Sequence, residues 1–205
     1  MARPDSSLRG FRAITRSGQY VVTPHTPNFE AKPETIRGRA IYELLLAVHA
    51  KIRRDLERVE QLAERALDGL PAEEIRQQVQ ELKRGSMLWR LQWDCLRYCR
   101  FVHSHHNAED VDFFPELRAT NPAIDPVIDR LQADHRRVSG ELDAVEAAAN
   151  TLADDEGRQA RQAVVDTLRT VADSLLEHLD YEELSIESTV LRLDEAPGRS
   201  EGMAG

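Results

Sequence analysis

Four stretches of this sequence place apolar residues every three or four positions, and a histidine stands inside each of the four runs. They are Tyr42, Leu45, His49, Ile52, Leu56, Val59; then Leu88, Leu91, Cys95, Tyr98, Val102, His105, Glu109. The third is Ile128, Leu131, His135, Val138, Leu142, Val145, and the fourth Val164, Leu168, Val171, Leu175, His178, Glu182, Ile186. Steps of three and four follow one face of an α-helix. Each helix then has one apolar stripe to hide, and four such helices with shorter links hide theirs against one another. The expectation is an all-α chain folded as an up-down-up-down four-helix bundle.

Proline, glycine and capping residues set the expected boundaries. The first helix opens near Pro33-Glu34 and stops at Gly69. A short extra helix over 71–84 opens at Pro71 and closes at Lys83-Arg84-Gly85. The second long helix runs from a Ser86 cap to about Pro115, the third opens with Asp125 and Pro126, and the fourth follows Asp154-Asp155. Residues 33–193 therefore form the bundle. Residues 1–32 lack periodicity, hold Pro4, Pro24 and Pro27, and read as a tail or strap, with His25 in solvent. Residues 194–205 read as a flexible C-terminal tail.

Composition narrows the function. A net charge of −9 argues against nucleic acid as a partner, because phosphate binding needs a basic face. No run is long enough to span a membrane, and the N-terminus has no apolar signal core, so a cytoplasmic chain is expected. Cys95 and Cys99 lie four apart inside a helical run and read as small packing residues, not a disulfide framework. Tyr98 and Tyr181 also read as packing. Oligomeric state is left open.

Counting along the rods shows whether the histidines share a level. His49 stands 20 residues before Gly69, and His105 stands 19 after Ser86. His105 stands 10 before Pro115, and His135 stands 10 after Asp125. His135 is 17 from Leu152 and His178 is 21 from Gly157, again within about a helical turn. Glu109 follows His105 by four, and Glu182 follows His178 by four, so each pair projects from one face. A single core histidine is ordinarily a hydrogen-bonded structural group, and that account fits His49 or His135 taken alone. It does not fit four histidines at one depth beside two carboxylates, whose unpaired burial costs several kcal/mol each.

A metal pair removes that cost. Six side chains exceed what one tetrahedral zinc takes, and nitrogen and oxygen donors without thiolate favour iron, then manganese. His106 and Asp110 lie one residue round the helix and read as a further ligand or as groups bonded behind the ligands. Glu183 stands ready to replace Glu182, and His103 lies at the surface or behind the ligands.

The set His49, His105-x-x-x-Glu109 within HSHHNAEDVDFFP, His135 in QADHRRV and His178-x-x-x-Glu182 in EHLDYEE resembles the hemerythrin-like family, also called HHE cation-binding domains. The resemblance spans residues 36–193. It implies a non-haem di-iron centre, cycling between Fe2+ and Fe3+ with an oxo or hydroxo bridge, that meets oxygen, hydrogen peroxide or nitric oxide. Oxygen-carrying hemerythrins place a second histidine four beyond the one on their third helix, where this chain has Ser139. Their last helix places an aspartate five beyond its histidine, where this chain has Glu183 after Glu182. These departures point away from reversible oxygen carriage, toward peroxide breakdown or toward iron and redox sensing. The expected roles are terminal ligation by His49, His105, His135 and His178, bridging by Glu109 and Glu182, and catalase-like peroxide disproportionation. The competing expectation is a non-enzymatic oxygen, iron or redox sensor or store.

Overall fold

The computed structural model describes residues 12–14, 20–22, 32–68 and 87–194. The short helix expected over 71–84, the Ser86 cap, His25 and residues 195–205 lie outside the described residues. Within the first 32 residues, β1 (Arg12–Ile14) pairs antiparallel with β2 (Tyr20–Val22), and β2 lies against the last helix. Strands of three residues are too short to show an alternating pattern, which is why this hairpin was not expected.

Four rods follow. α1 spans Ile36–Leu67, capped by Thr35, whose hydroxyl accepts from the Gly38 amide at 2.8 Å. The start therefore falls two residues beyond the expected Pro33-Glu34. The second rod does not stop at Pro115. It comprises α2 (Met87–Ala108), one π-helical turn (Glu109–Phe113) and α3 (Phe114–Thr120). Phe114 N–H bonds back to Glu109 O, and Pro115, which has no N–H, sits inside the next turn. A proline in a continuing helix removes one bond and crowds the carbonyl four residues back; the widened turn just before it gives the chain room to continue. After a 3₁₀ turn (Pro122–Ile124), α4 spans Asp125–Asp154 and α5 spans Arg158–Val190.

Contacts fix the directions. His49 meets His105 while Lys51 lies over the Phe101 ring, so α1 and α2 run oppositely. Cys99 reaches the Leu142 carbonyl at 3.7 Å and His103 meets Ser139 at 3.5 Å, so α2 and α4 do too. Arg130 reaches Glu177 at 3.6 Å and Arg137 reaches Ser174 at 2.8 Å, which orients α5 against α4. The ring closes where Thr35 N–H donates to Leu191 O at 2.8 Å and Arg161 donates to Ala66 O at 3.2 Å. This is an all-α, up-down-up-down bundle with a small added hairpin. At the α1–α5 closure a Cβ on Gly38 would come within 2.4 Å of the Val190 carbonyl oxygen, so only glycine permits that approach.

The core is in two pieces. One apolar cluster runs from Ile52, Leu56 and Leu91 through Leu142 to Leu168 and Leu179. The other gathers Leu45, Phe114, Leu117, Ile128, Leu131, Ile186 and Val190 around the opposite end. Each fully buried Leu or Ile contributes about 1.5–3 kcal/mol. Between the clusters lies a layer of polar side chains, and every rod contributes to it.

Candidate metal centre

His49, His106, Glu109, His135, His178 and Glu182 are all buried, and His105 nearly so. They come from all four rods and lie at one level. Their donor atoms fall into two groups, each within 4.8 Å: His49, His105, Glu109 and Glu182, and beside them His106, His135 and His178. In the first group His49 Nε2 lies 3.1 Å from His105 Nε2 and 3.4 Å from Glu182 Oε2, and His105 Nε2 lies 3.2 Å from Glu109 Oε1. Ligands at about 2.0–2.2 Å from a common ion stand roughly 3–4 Å apart, so these spacings suit an ion at their centre. The carboxylates reach across: Glu109 Oε2 is 3.6 Å from His135, and Glu182 Oε2 is 3.6 Å from His178.

The layer is poorly satisfied by the protein itself. Neither oxygen of Glu109 nor of Glu182 accepts a hydrogen bond, and His106 Nε2, His135 Nε2 and both nitrogens of His178 have no partner. Buried polar atoms are normally paired, and an unpaired carboxylate is among the most costly of buried groups. The titration behaviour follows. Burial, then the charges of Glu182 and Asp110, raises the Glu109 carboxyl well above its ordinary range. Burial, then Glu183 and Asp110, pushes Glu182 to about 8. Burial and the neighbouring imidazoles lower His105 to about 3 and His106 to about 2, and drive His178 well below its usual value. Two acids and five unprotonated imidazoles facing one another are groups that a cation would satisfy.

Behind the layer, carboxylates hold two of the rings. His49 Nδ1 lies 2.9 Å from Glu183 Oε1, and His135 Nδ1 lies 3.0 Å from Asp110 Oδ1. A carboxylate accepts only, so each ring keeps its proton on Nδ1 and turns the Nε2 lone pair inward. Glu183 also takes a 2.6 Å bond from Arg53, whose other arm holds Asp180 at 2.7 Å. Burial alone would raise Glu183, but the bonds from His49 and Arg53 outweigh it and leave the carboxyl below its ordinary range. Glu182, not Glu183, is the acid in the layer.

Residues 95–188 match the family model described as the hemerythrin HHE cation binding domain. Residues 95–188 are a hemerythrin HHE cation-binding domain. The matched stretch carries every histidine and glutamate of the layer except His49, which the preceding rod supplies to complete this hemerythrin-like bundle. Neither a search of curated proteins nor one of solved structures finds a match to the chain.

All six residues expected to bind metal lie in the layer. The sequence leaves His106 open between a further ligand and a group behind the ligands; its ring stacks on His135 at 4.1 Å and meets His178 edge-on at 5.1 Å. A second seam, Cys95, Cys99, Val102, His106, Glu109, keeps the same three-and-four spacing, and all five residues are buried. A stripe wider than about 100° brings adjacent positions inside together, so His105 faces α1 and His106 faces α4 and α5. The HH pair was the legible signal. His103 stands outside both groups, 3.6 Å from Asp143. Cys95 and Cys99 are buried and unpaired, and Tyr181 packs beneath the Arg130 guanidinium at 3.7 Å.

Proposed function

We propose that the polar layer holds two iron ions and that the protein reacts there with small oxidising ligands, hydrogen peroxide foremost, with oxygen and nitric oxide of the same class. The observation that carries this reading is the pair of donor groups spanned by Glu109 and Glu182. His49 and His105 hold one ion, His106, His135 and His178 hold the other, and the two glutamates are shared. Donors are nitrogen and oxygen only, since both cysteines lie in the apolar cluster, which favours iron over softer alternatives. A bound pair would supply two one-electron couples, which together match the two electrons each peroxide exchanges.

The chain's own part is to bind, orient and shield. Glu183 and Asp110 aim two lone pairs inward, as above. Phe114 lies nearly parallel to the His135 ring at 5.3 Å and, with the Leu45 cluster, excludes water from one side of the layer. Tyr42 donates its hydroxyl hydrogen to the Glu183 carbonyl at 3.2 Å and closes the same side.

The test is elemental analysis of full-length protein grown with iron, the optical spectrum of its oxidised form, and oxygen evolution from hydrogen peroxide. About two irons per chain, near-ultraviolet charge-transfer absorption and sustained oxygen release are expected. Iron with one round of oxidation and no sustained release identifies a sensor or store. Protein without bound metal overturns the reading.

A further inference from the structure

His49 and Arg53 share a single acceptor atom. Glu183 Oε1 takes the proton of His49 Nδ1 at 2.9 Å and that of Arg53 Nη1 at 2.6 Å. Arg53 follows His49 by one turn on α1, so the ring and the guanidinium approach the α5 carboxylate side by side. The other arm of Arg53 reaches Asp180 Oδ1 at 2.7 Å, three residues before Glu183. A planar guanidinium can grip two acids at once, and that grip holds it in place. Arg53, Asp180 and Glu183 are each no more than 21% exposed, so water screens these charges only in part.

The matching support in the three-histidine group lacks a cation. Asp110 Oδ1 accepts from His135 Nδ1 at 3.0 Å, and among the described residues no Lys or Arg pairs with Asp110. A hydrogen bond to a carboxylate is strong because the oxygen is charged. An oxygen that already faces a guanidinium has less of that charge left for a second donor. Glu183 therefore draws on the His49 Nδ1 proton less than an unshared carboxylate in its place would. A ring whose Nδ1 proton is drawn less is a weaker electron donor at Nε2. Weaker donation favours the lower of two charges on an ion held there.

We propose that Arg53, by sharing Glu183 Oε1 with His49, is a positioning residue that tempers His49 as a ligand and favours the ferrous form of the ion in the two-histidine group. This rests on the two-ion reading above. The test uses full-length protein in two states. Loaded with zinc, which is diamagnetic, it shows the His49 Nδ1 proton by NMR; loaded with iron, it gives the ferric-to-ferrous ratio in a redox titration. Arg53→Gln is expected to move the proton downfield and to raise the ferric share at a fixed potential by roughly tenfold. Glu183→Gln should move both readings the opposite way. The two substitutions break the same ion pair and both should lower Tm, so a role in stability alone would not separate them by sign. Arg53→Lys keeps the charge and should stay nearer the parent than Arg53→Gln does. Arg54→Gln removes an exposed charge one residue further on and should leave both readings unchanged. Shifts of the same sign in Arg53→Gln and Glu183→Gln, or an unmoved proton in Arg53→Gln, at unchanged metal content, overturn the role of Arg53 and leave the two-ion reading standing. Protein that takes up neither zinc nor iron overturns both.

Discussion

The two donor groups sit side by side in one layer yet differ in charge and in support. The two-histidine group gathers His49 and His105 with two carboxylates, and the Arg53–Glu183–Asp180 ion pairs brace it from behind. The three-histidine group offers neutral imidazoles, shares Glu109 and Glu182 with its neighbour, and is backed by Asp110. A cation in the first is charge-compensated and enclosed. A cation in the second has one more imidazole around it and a single carboxylate, Asp110, behind it.

The largest expected effect removes the comparison altogether. Stripping the metal exposes the cost of the whole layer, and a ligand at about a thousand times its dissociation constant stabilises the fold by about 4 kcal/mol. For a chain of this size that corresponds to roughly 8–16 °C in Tm. Calorimetry before and after chelation checks it; equal Tm values would mean that cations contribute nothing to the fold.

Next in size is a split between the groups. His106→Ala takes a ligand from the three-histidine group alone, so iron content is expected to fall from about two to about one, with the ion in the two-histidine group retained. Glu109→Ala takes an oxygen from both groups and should release both ions. If the two substitutions give the same iron content by elemental analysis, the division into two groups is wrong.

A third effect, about 2 kcal/mol, appears only in the stripped protein. The Glu182 carboxyl is raised to about 8 and Glu109 is raised well above its ordinary value. A raised folded-state value gives stability that is full below the ordinary carboxylate range and is lost as pH climbs toward 8. The imidazoles act oppositely: His105, lowered to about 3, gives stability that is full above 6.5 and is lost as pH falls. The stripped protein should therefore lose Tm between pH 6.5 and 8, where only the acids are titrating. Glu182→Met, which replaces a buried unpaired acid by an apolar chain, should raise the stripped protein's Tm and flatten that slope while impairing metal binding.

The sequence displays this layer unevenly, and the reasons are physical. Helical periodicity sets both the face and the depth of a side chain, so His49, His105, His135 and His178 could be counted to one level from caps and glycines alone. His106 stays undecided in the sequence because a single seam passes it by, whereas the buried stripe of this helix is two residues wide at Tyr98-Cys99. The π turn escaped because Pro115 reads as a stop, whereas widening the preceding turn lets the rod continue to Thr120. The Gly38 crossing depends on where the far end of α5 returns, which no local pattern in α1 encodes.

The smallest effect separates the two groups by their supporting carboxylates. Asp110→Asn keeps an oxygen that can accept the His135 Nδ1 proton, so the ring stays oriented and only a charge is lost. That charge is 36% exposed and screened by water, so metal affinity at the three-histidine position should weaken by less than about tenfold. Glu183→Gln makes the same exchange where Arg53 depends on the charge, and leaves a partly buried guanidinium facing a neutral amide. Its effect should exceed that of Asp110→Asn and fall on the two-histidine position, readable as faster chelator removal of one of the two ions. Should Asp110→Asn prove the more damaging of the two, the three-histidine group is the better braced, and the ranking of the two supports must be reversed.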